Sequence, residues 1–196
     1  MAHAQDLEHV EPTGIAPPKL GMWLFLCGEI VLFGGVIMTI VLFRISYPDW
    51  KYASEHTNTI IGSVNTFNLL TSSFLVALAY KMSSIGNHGR AKLCILGCLA
   101  FGVLFLGLKW GVEWPTEISH GYTIHEGPFW QLYYAATGLH AVHVLLGLFV
   151  FAAILVMYMG NWRPLHTLRN SLELTALYWH FVDIVWLFLW PLFYLS

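Results

Sequence analysis

Charge is what this sequence has least of. Asp, Glu, Lys and Arg make up 10% of its 196 residues, where a soluble domain carries about 25%. So few charges cannot dress a solvated surface, which excludes an ordinary soluble domain. Nine basic residues against eleven acidic ones leave a net charge of −2, with no basic patch for nucleic acid. Cysteine is scarce as well. Cys27, Cys94 and Cys98 all lie inside apolar runs, where they read as small buried hydrophobes rather than disulfide partners. Cys94 and Cys98 have the spacing of some copper sites, but no histidine or methionine accompanies them, so they read as packing. The N-terminal segment lacks the basic start and cleavage site of a signal peptide. No internal repeat or low-complexity tract is evident.

What remains is apolar: 57% of residues are hydrophobic and 16% aromatic. About 20 consecutive apolar residues suffice to cross a bilayer, and five stretches qualify, at about 21–45, 60–80, 91–114, 129–159 and 172–195. The expected fold is an all-α membrane protein, a bundle of five transmembrane helices. Residues 1–19 form a polar tail and 20–196 a single transmembrane domain. The loops at Lys81–Lys92 and Arg163–Arg169 are basic, and the loop at Pro115–Pro128 has no Lys or Arg. Basic loops mark the cytoplasmic side, so the N-terminus is expected inside and the C-terminus outside. Arg44 and Lys51 oppose this bias, and Asp49 and Glu55 offset them.

Against this apolar background the ionisable residues stand out. Glu29 sits roughly 14 Å into the first span at 1.5 Å per residue. His140 and His143 fall near the middle of the fourth span, and His180 and Asp183 lie in the fifth. Each pair is three residues apart and so on one helix face. A charge in mid-membrane costs roughly 2.5–3.5 kcal/mol on insertion scales. These five residues are therefore expected to form one interior cluster within a slab roughly 10 Å deep, satisfying one another. Three readings of it stay open from the residues alone: hydrogen bonds that hold helices in register, a metal or haem site, or a proton path. In the second span, Asn65 and Ser73 are expected where helices hydrogen-bond each other. Lys109 and Glu113, flanked by Trp110 and Trp114, read as a structural ion pair in an interfacial belt. Glu173 is expected to pair with Arg169, four residues before it.

Four stretches carry a resemblance. Leu20-Gly-Met-Trp-Leu-Phe-Leu-Cys-Gly-Glu29 is followed by Asn65-Thr-x-x-Leu69-Leu-x-Ser72-Ser73. Then come Ala136-Thr-Gly-Leu-His-Ala-Val-His-Val-Leu-Leu-Gly147 and Tyr178-Trp-His-Phe-Val-Asp-Ile-Val-Trp-Leu-Phe188. Together they resemble subunit III of the haem–copper oxidases, the cytochrome c oxidase family, over nearly the whole chain from Leu20. Many family members have seven spans; this chain has five and begins at what would be their third, so their lipid-filled cleft cannot form from it alone.

The resemblance implies a subunit without haem or copper of its own and without a catalytic site. It implies packing against subunit I, which holds the haem and copper centres, and assembly with subunit II and other respiratory-complex subunits. The chain would stabilise subunit I and support proton uptake in a proton-pumping cytochrome c oxidase, with bound phospholipid, in a bacterial plasma membrane. Glu29, His140, His143, His180, Asp183, Glu173, Asn65 and Ser73 match the family's polar positions. Subunit III of a quinol oxidase is the nearest alternative, followed by a relative associated with nitric oxide reductase. A stand-alone proton or ion transporter using Glu29 and Asp183 is a rival from another class, and the missing repeats and broken helices speak against it.

Overall fold

The structure, a computed structural model, describes residues 17–160 and 164–195. Its helices are α1 (Pro17–Ser46), α2 (Trp50–Glu55), α3 (Thr59–Ser84), α4 (His88–Leu108), α5 (Trp114–Ser119), α6 (Pro128–Gly160) and α7 (Leu165–Tyr194). A π-helical turn, Lys109–Glu113, joins α4 to α5. No strand occurs among the described residues. Five segments are long and apolar enough to cross a membrane: α1, α3, α4 through α5, α6 and α7. The helices reach beyond the apolar runs. α1 starts at Pro17, inside the expected tail, and α7 starts at Leu165 rather than at about Leu172. Hydropathy marks the lipid-facing part of a helix, whereas backbone bonding carries the helix on through polar residues. Arg163 of the expected basic loop lies outside the described residues.

Local chemistry sets the turns. The Asn58 and Asn87 side chains accept the backbone N–H of Ile61 and Arg90 at 3.1 and 3.2 Å, capping α3 and α4. α3 ends in a Schellman turn. Gly86, at φ 79°, takes the left-handed position, and the Asn87 and Gly86 N–H groups donate to the carbonyls of Met82 and Ser83. The π turn immediately precedes Pro115, which has no N–H and whose ring would crowd the carbonyl four residues back. The Trp114 N–H donates instead to Lys109, five residues back.

α3, α4, α6 and α7 pack into the core, and α1 leans on the outside of α7 and α6. Only Leu26, Phe33 and Ile40 of α1 are buried, a narrow seven-residue stripe. The core closes on Trp179 of α7, fully buried and held by three helices. Its indole N–H donates to Ser72 Oγ of α3 at 3.0 Å. A Cβ on Gly147 of α6 would lie 2.6 Å from its ring, and one on Gly102 of α4 would lie 3.2 Å from it. Of the three glycines of the third span, Gly97 and Gly102 admit close neighbours, and Gly107 has open space beside it.

A second lock ties the π turn to α6 and α7. Lys109 and Glu113 have fully buried side chains, with Nζ 3.1 Å from Oε1. Lys109 also donates to the Tyr133 and Tyr194 hydroxyls at 2.9 and 2.6 Å. Both tyrosines donate in turn to Glu113 Oε1, Tyr133 at 2.6 Å and Tyr194 in a short bond. The rings of Tyr133, Trp186 and Tyr194 surround the ammonium. The pair is thus enclosed by protein at the end of the bundle where α6 begins and α7 finishes, rather than lying on its surface. Its tyrosine partners come from helices that sequence spacing cannot bring to it, and only Trp110, 38% exposed, keeps a belt position.

Two stability outcomes follow from these contacts. Gly147→Ala forces a methyl against the rigid Trp179 ring and should cost about 1–3 kcal/mol; Gly34→Ala, with nothing within 4 Å, serves as its neutral control in thermal unfolding in detergent. Lys109→Met strands Glu113 and should cost about 3–5 kcal/mol, whereas Lys109→Met with Glu113→Leu should recover most of that loss. An equal loss in the double variant would mean that the tyrosines, not the charges, make the lock.

Candidate functional site

The interior polar residues divide into separate groups, and no hydrogen bond joins one group to another among the described residues. The first links α1 to α6. Glu29 Oε2 lies 3.0 Å from His143 Nε2. His143 Nδ1 lies 2.8 Å from the Leu139 carbonyl, which can only accept, so Nδ1 carries a hydrogen. The bond between Nε2 and Oε2 then needs one more proton, held by the imidazole or by the carboxyl. The pair therefore contains one exchangeable proton in either arrangement. Its orientation is fixed from two sides: the Tyr178 hydroxyl donates to the His143 carbonyl at 2.9 Å, and the Phe33 ring meets the imidazole edge-on at 4.9 Å. This group borders a half-open cavity of about 330 Å³ between α1, α6 and α7.

His140 parts from His143. Three residues turn an α-helix by 300°, leaving the two side chains about 60° apart. His143 points to α1, and His140 is buried against Phe105 and Trp186, with ring centroids 5.5 and 5.1 Å away. Neither of its ring nitrogens has a hydrogen-bond partner among the described residues.

The second group joins α7 to α3. His180 Nδ1 lies 2.6 Å from Ser73 Oγ. Asp183 is 4% exposed, and neither carboxyl oxygen has a partner at bonding geometry; the Ser73 hydroxyl and the Cys98 thiol are the polar groups beside it. His180 and Asp183 thus share a face, as their spacing requires. Asn65 of α3 is fully buried with both amide atoms unpartnered. The expectation of one mutually satisfied cluster is corrected: Glu29 meets His143 only, His180 meets Ser73, and His140 and Asp183 stand alone.

Glu173 is corrected too. It pairs with Lys19 of α1 in a short ion pair, not with Arg169. Both side chains are partly exposed, so the pair contributes little energy but fastens the start of α1 to α7. Sequence reasoning missed Glu117, which is 3% exposed although it was placed in a polar loop. The signal was present: positions 109, 113 and 117 repeat every four residues, and the wide π turn keeps them on one face. The three cysteines are free thiols. Among the described residues, no three His, Cys, Asp or Glu side chains converge as metal ligands.

The sequence pattern of the family described as Cytochrome c oxidase subunit III matches residues 12–196. The chain is similar to the Heme-copper oxidase subunit I+III of Aeropyrum pernix, with 32% identity over 90% of this chain and 22% of that longer protein. It is 31% identical to the Cytochrome c oxidase subunit 3 of Bacillus subtilis, over 90% of this chain and 84% of that one. Quinol oxidase subunit 3 of the same organism is 28% identical, over 90% and 85%. Matched across nearly its whole length and built of five membrane-length helices, the chain belongs to the cytochrome c oxidase subunit III family and has the role of a haem–copper oxidase subunit III.

Proposed function

We propose that the chain is the non-catalytic subunit III of a proton-pumping cytochrome c oxidase in a bacterial plasma membrane, with its N-terminus inside and its C-terminus outside. It stabilises subunit I, which together with subunit II holds the haem and copper, and it supports proton uptake. The observation that carries this reading is the relative whose printed name joins subunits I and III in one polypeptide; two parts encoded as one chain belong in one complex. Cytochrome c oxidase and quinol oxidase subunits match this chain at overlapping identities, and subunit III of a quinol oxidase is the second reading.

The site residues take structural roles here. Glu29–His143 and His180–Ser73 each join two helices, and the Lys109–Glu113 pair joins the π turn to α6 and α7 through Tyr133 and Tyr194. An apolar groove of about 610 Å³ between α4 and α6, edged by Leu106, Trp110 and Phe149, suits the acyl chain of a bound phospholipid.

Purification of the tagged chain in mild detergent, with a reduced-minus-oxidised optical spectrum, tests the assignment. Haem bands with a large multi-span subunit and a copper-binding subunit II are expected. Haem bands beside a subunit II without copper ligands would move the reading to quinol, and a colourless solitary protein would overturn both. For Glu29, Glu29→Gln keeps a donor to His143 Nε2 while removing the titratable group. Assembly and proton pumping should persist; loss of pumping in a normally assembled complex would assign Glu29 a proton-carrying role.

A further inference from the structure

The cavity between α1, α6 and α7 has chemistry that joining helices does not need. Its walls are largely apolar and open on the outside of the chain: Phe25 is 47% exposed, Leu146 51% and Val150 45%. Its polar feature is the Glu29–His143 pair, whose side chains keep 17% and 10% exposure. His143 uses Oε2 of Glu29, and Oε1 has no hydrogen-bond partner among the described residues, so a free acceptor borders the cavity. The rings of Phe25 and Tyr178 contact each other along it, with centroids 6.0 Å apart.

Depth restricts the occupant. Glu29 lies about 18 Å along α1 from Pro17 and about 26 Å before Ser46, at 1.5 Å per residue. His143 is near the midpoint of the 33-residue α6. A phospholipid headgroup sits at the membrane surface and cannot place its charges here without the cost of burying them. A membrane-soluble molecule with one neutral hydroxyl can reach this depth. Its O–H would meet an acceptor that is otherwise unsatisfied in hydrocarbon, where such a bond has no competing water. The aromatic wall that Phe25 and Tyr178 make together favours a ring over a linear chain, through offset or edge-to-face contact. At about 330 Å³ the cavity is at the small end of ligand sites and takes one ring with the start of its tail.

We infer that this cavity binds a membrane-soluble alkylphenol, its hydroxyl donating to Oε1 of Glu29, its ring against the wall made by Phe25 and Tyr178, and its tail leaving past Leu146 into the lipid. The interaction is binding only, with no electron or group transfer. It goes beyond the assignment above and holds whichever donor supplies the complex.

Photolabelling of the complete complex tests it, in nanodiscs of phosphatidylethanolamine and phosphatidylglycerol, with an alkylphenol bearing a diazirine in its tail. Labels are expected at Met22, Phe25, Leu146 and Val150. Excess plain alkylphenol should lower this labelling at least tenfold, an equal-length alcohol less than threefold, and an equal-length alkylbenzene not at all. Glu29→Leu should lose labelling tenfold or more. Glu29→Gln should stay within threefold, because its amide NH₂ donates to Nε2 and its carbonyl remains an acceptor towards the cavity. Leu146→Trp, which narrows the mouth and leaves the polar pair intact, should also lose it and covers the case in which Glu29→Leu fails to assemble. Equal competition by the alkylbenzene or by the alcohol, labelling elsewhere, or full labelling of Leu146→Trp would each overturn the inference.

Discussion

Hydrocarbon offers no hydrogen bonds, so every polar side chain carried into it must be answered from within the protein. The bundle is arranged around that requirement. Trp179 brings an indole N–H into the centre and finds Ser72; Trp186 does the same with Thr66 at 3.0 Å. Glu29 finds His143, and Lys109 finds one carboxylate and two phenols. Each answer comes from a different helix or a different turn, so satisfying the polar groups and assembling the bundle are one event. Apolar surface cannot do this sorting, since lipid tails are as apolar as leucine.

The polar groups differ in how completely they are answered. Around Lys109 each ammonium hydrogen has a partner and three donors meet on Oε1 of Glu113, which joins α6, α7 and the π turn, while Oε2 of Glu113 is buried without a partner among the described residues. Around Glu29 one oxygen is used and one is left at a cavity that opens between helices. Among the described residues neither ring nitrogen of His140 has a partner, and Asp183 has only the Ser73 hydroxyl and the Cys98 thiol beside it, although both are at least nine-tenths buried. In the described part of the chain, the group around Lys109 is a sealed fastening, whereas the one around Glu29 opens on a cavity where further chemistry can attach.

The number of spans and the residues that interrupt them were legible in the sequence, because both depend on composition along one dimension. The motifs around His140 and Asp183 pointed to the family for the same reason. Partners were less legible. Glu173 and Arg169 satisfy the four-residue rule on α7, yet Lys19 lies closer once α1 packs there. Lys109 and Glu113 read as a simple local pair between two tryptophans, but Tyr133 and Tyr194 from two other helices enclose them. His140 and His143 share a face within 60°, and that angle is enough to send them to different neighbours. Pairings between helices depend on packing angle and rotation, which no spacing rule contains.

The link between Glu29 and His143 crosses 114 positions of sequence, and the helices leave the ribosome in order. At about 5–20 residues per second, α6 emerges some 6 to 23 s after α1. Through that interval the first helix holds an unanswered carboxyl and, with its narrow buried stripe, little else to keep it in place. Its residence in the bilayer is conditional on the arrival of α6 and α7. A chain truncated before His143 would present the same unanswered carboxyl indefinitely.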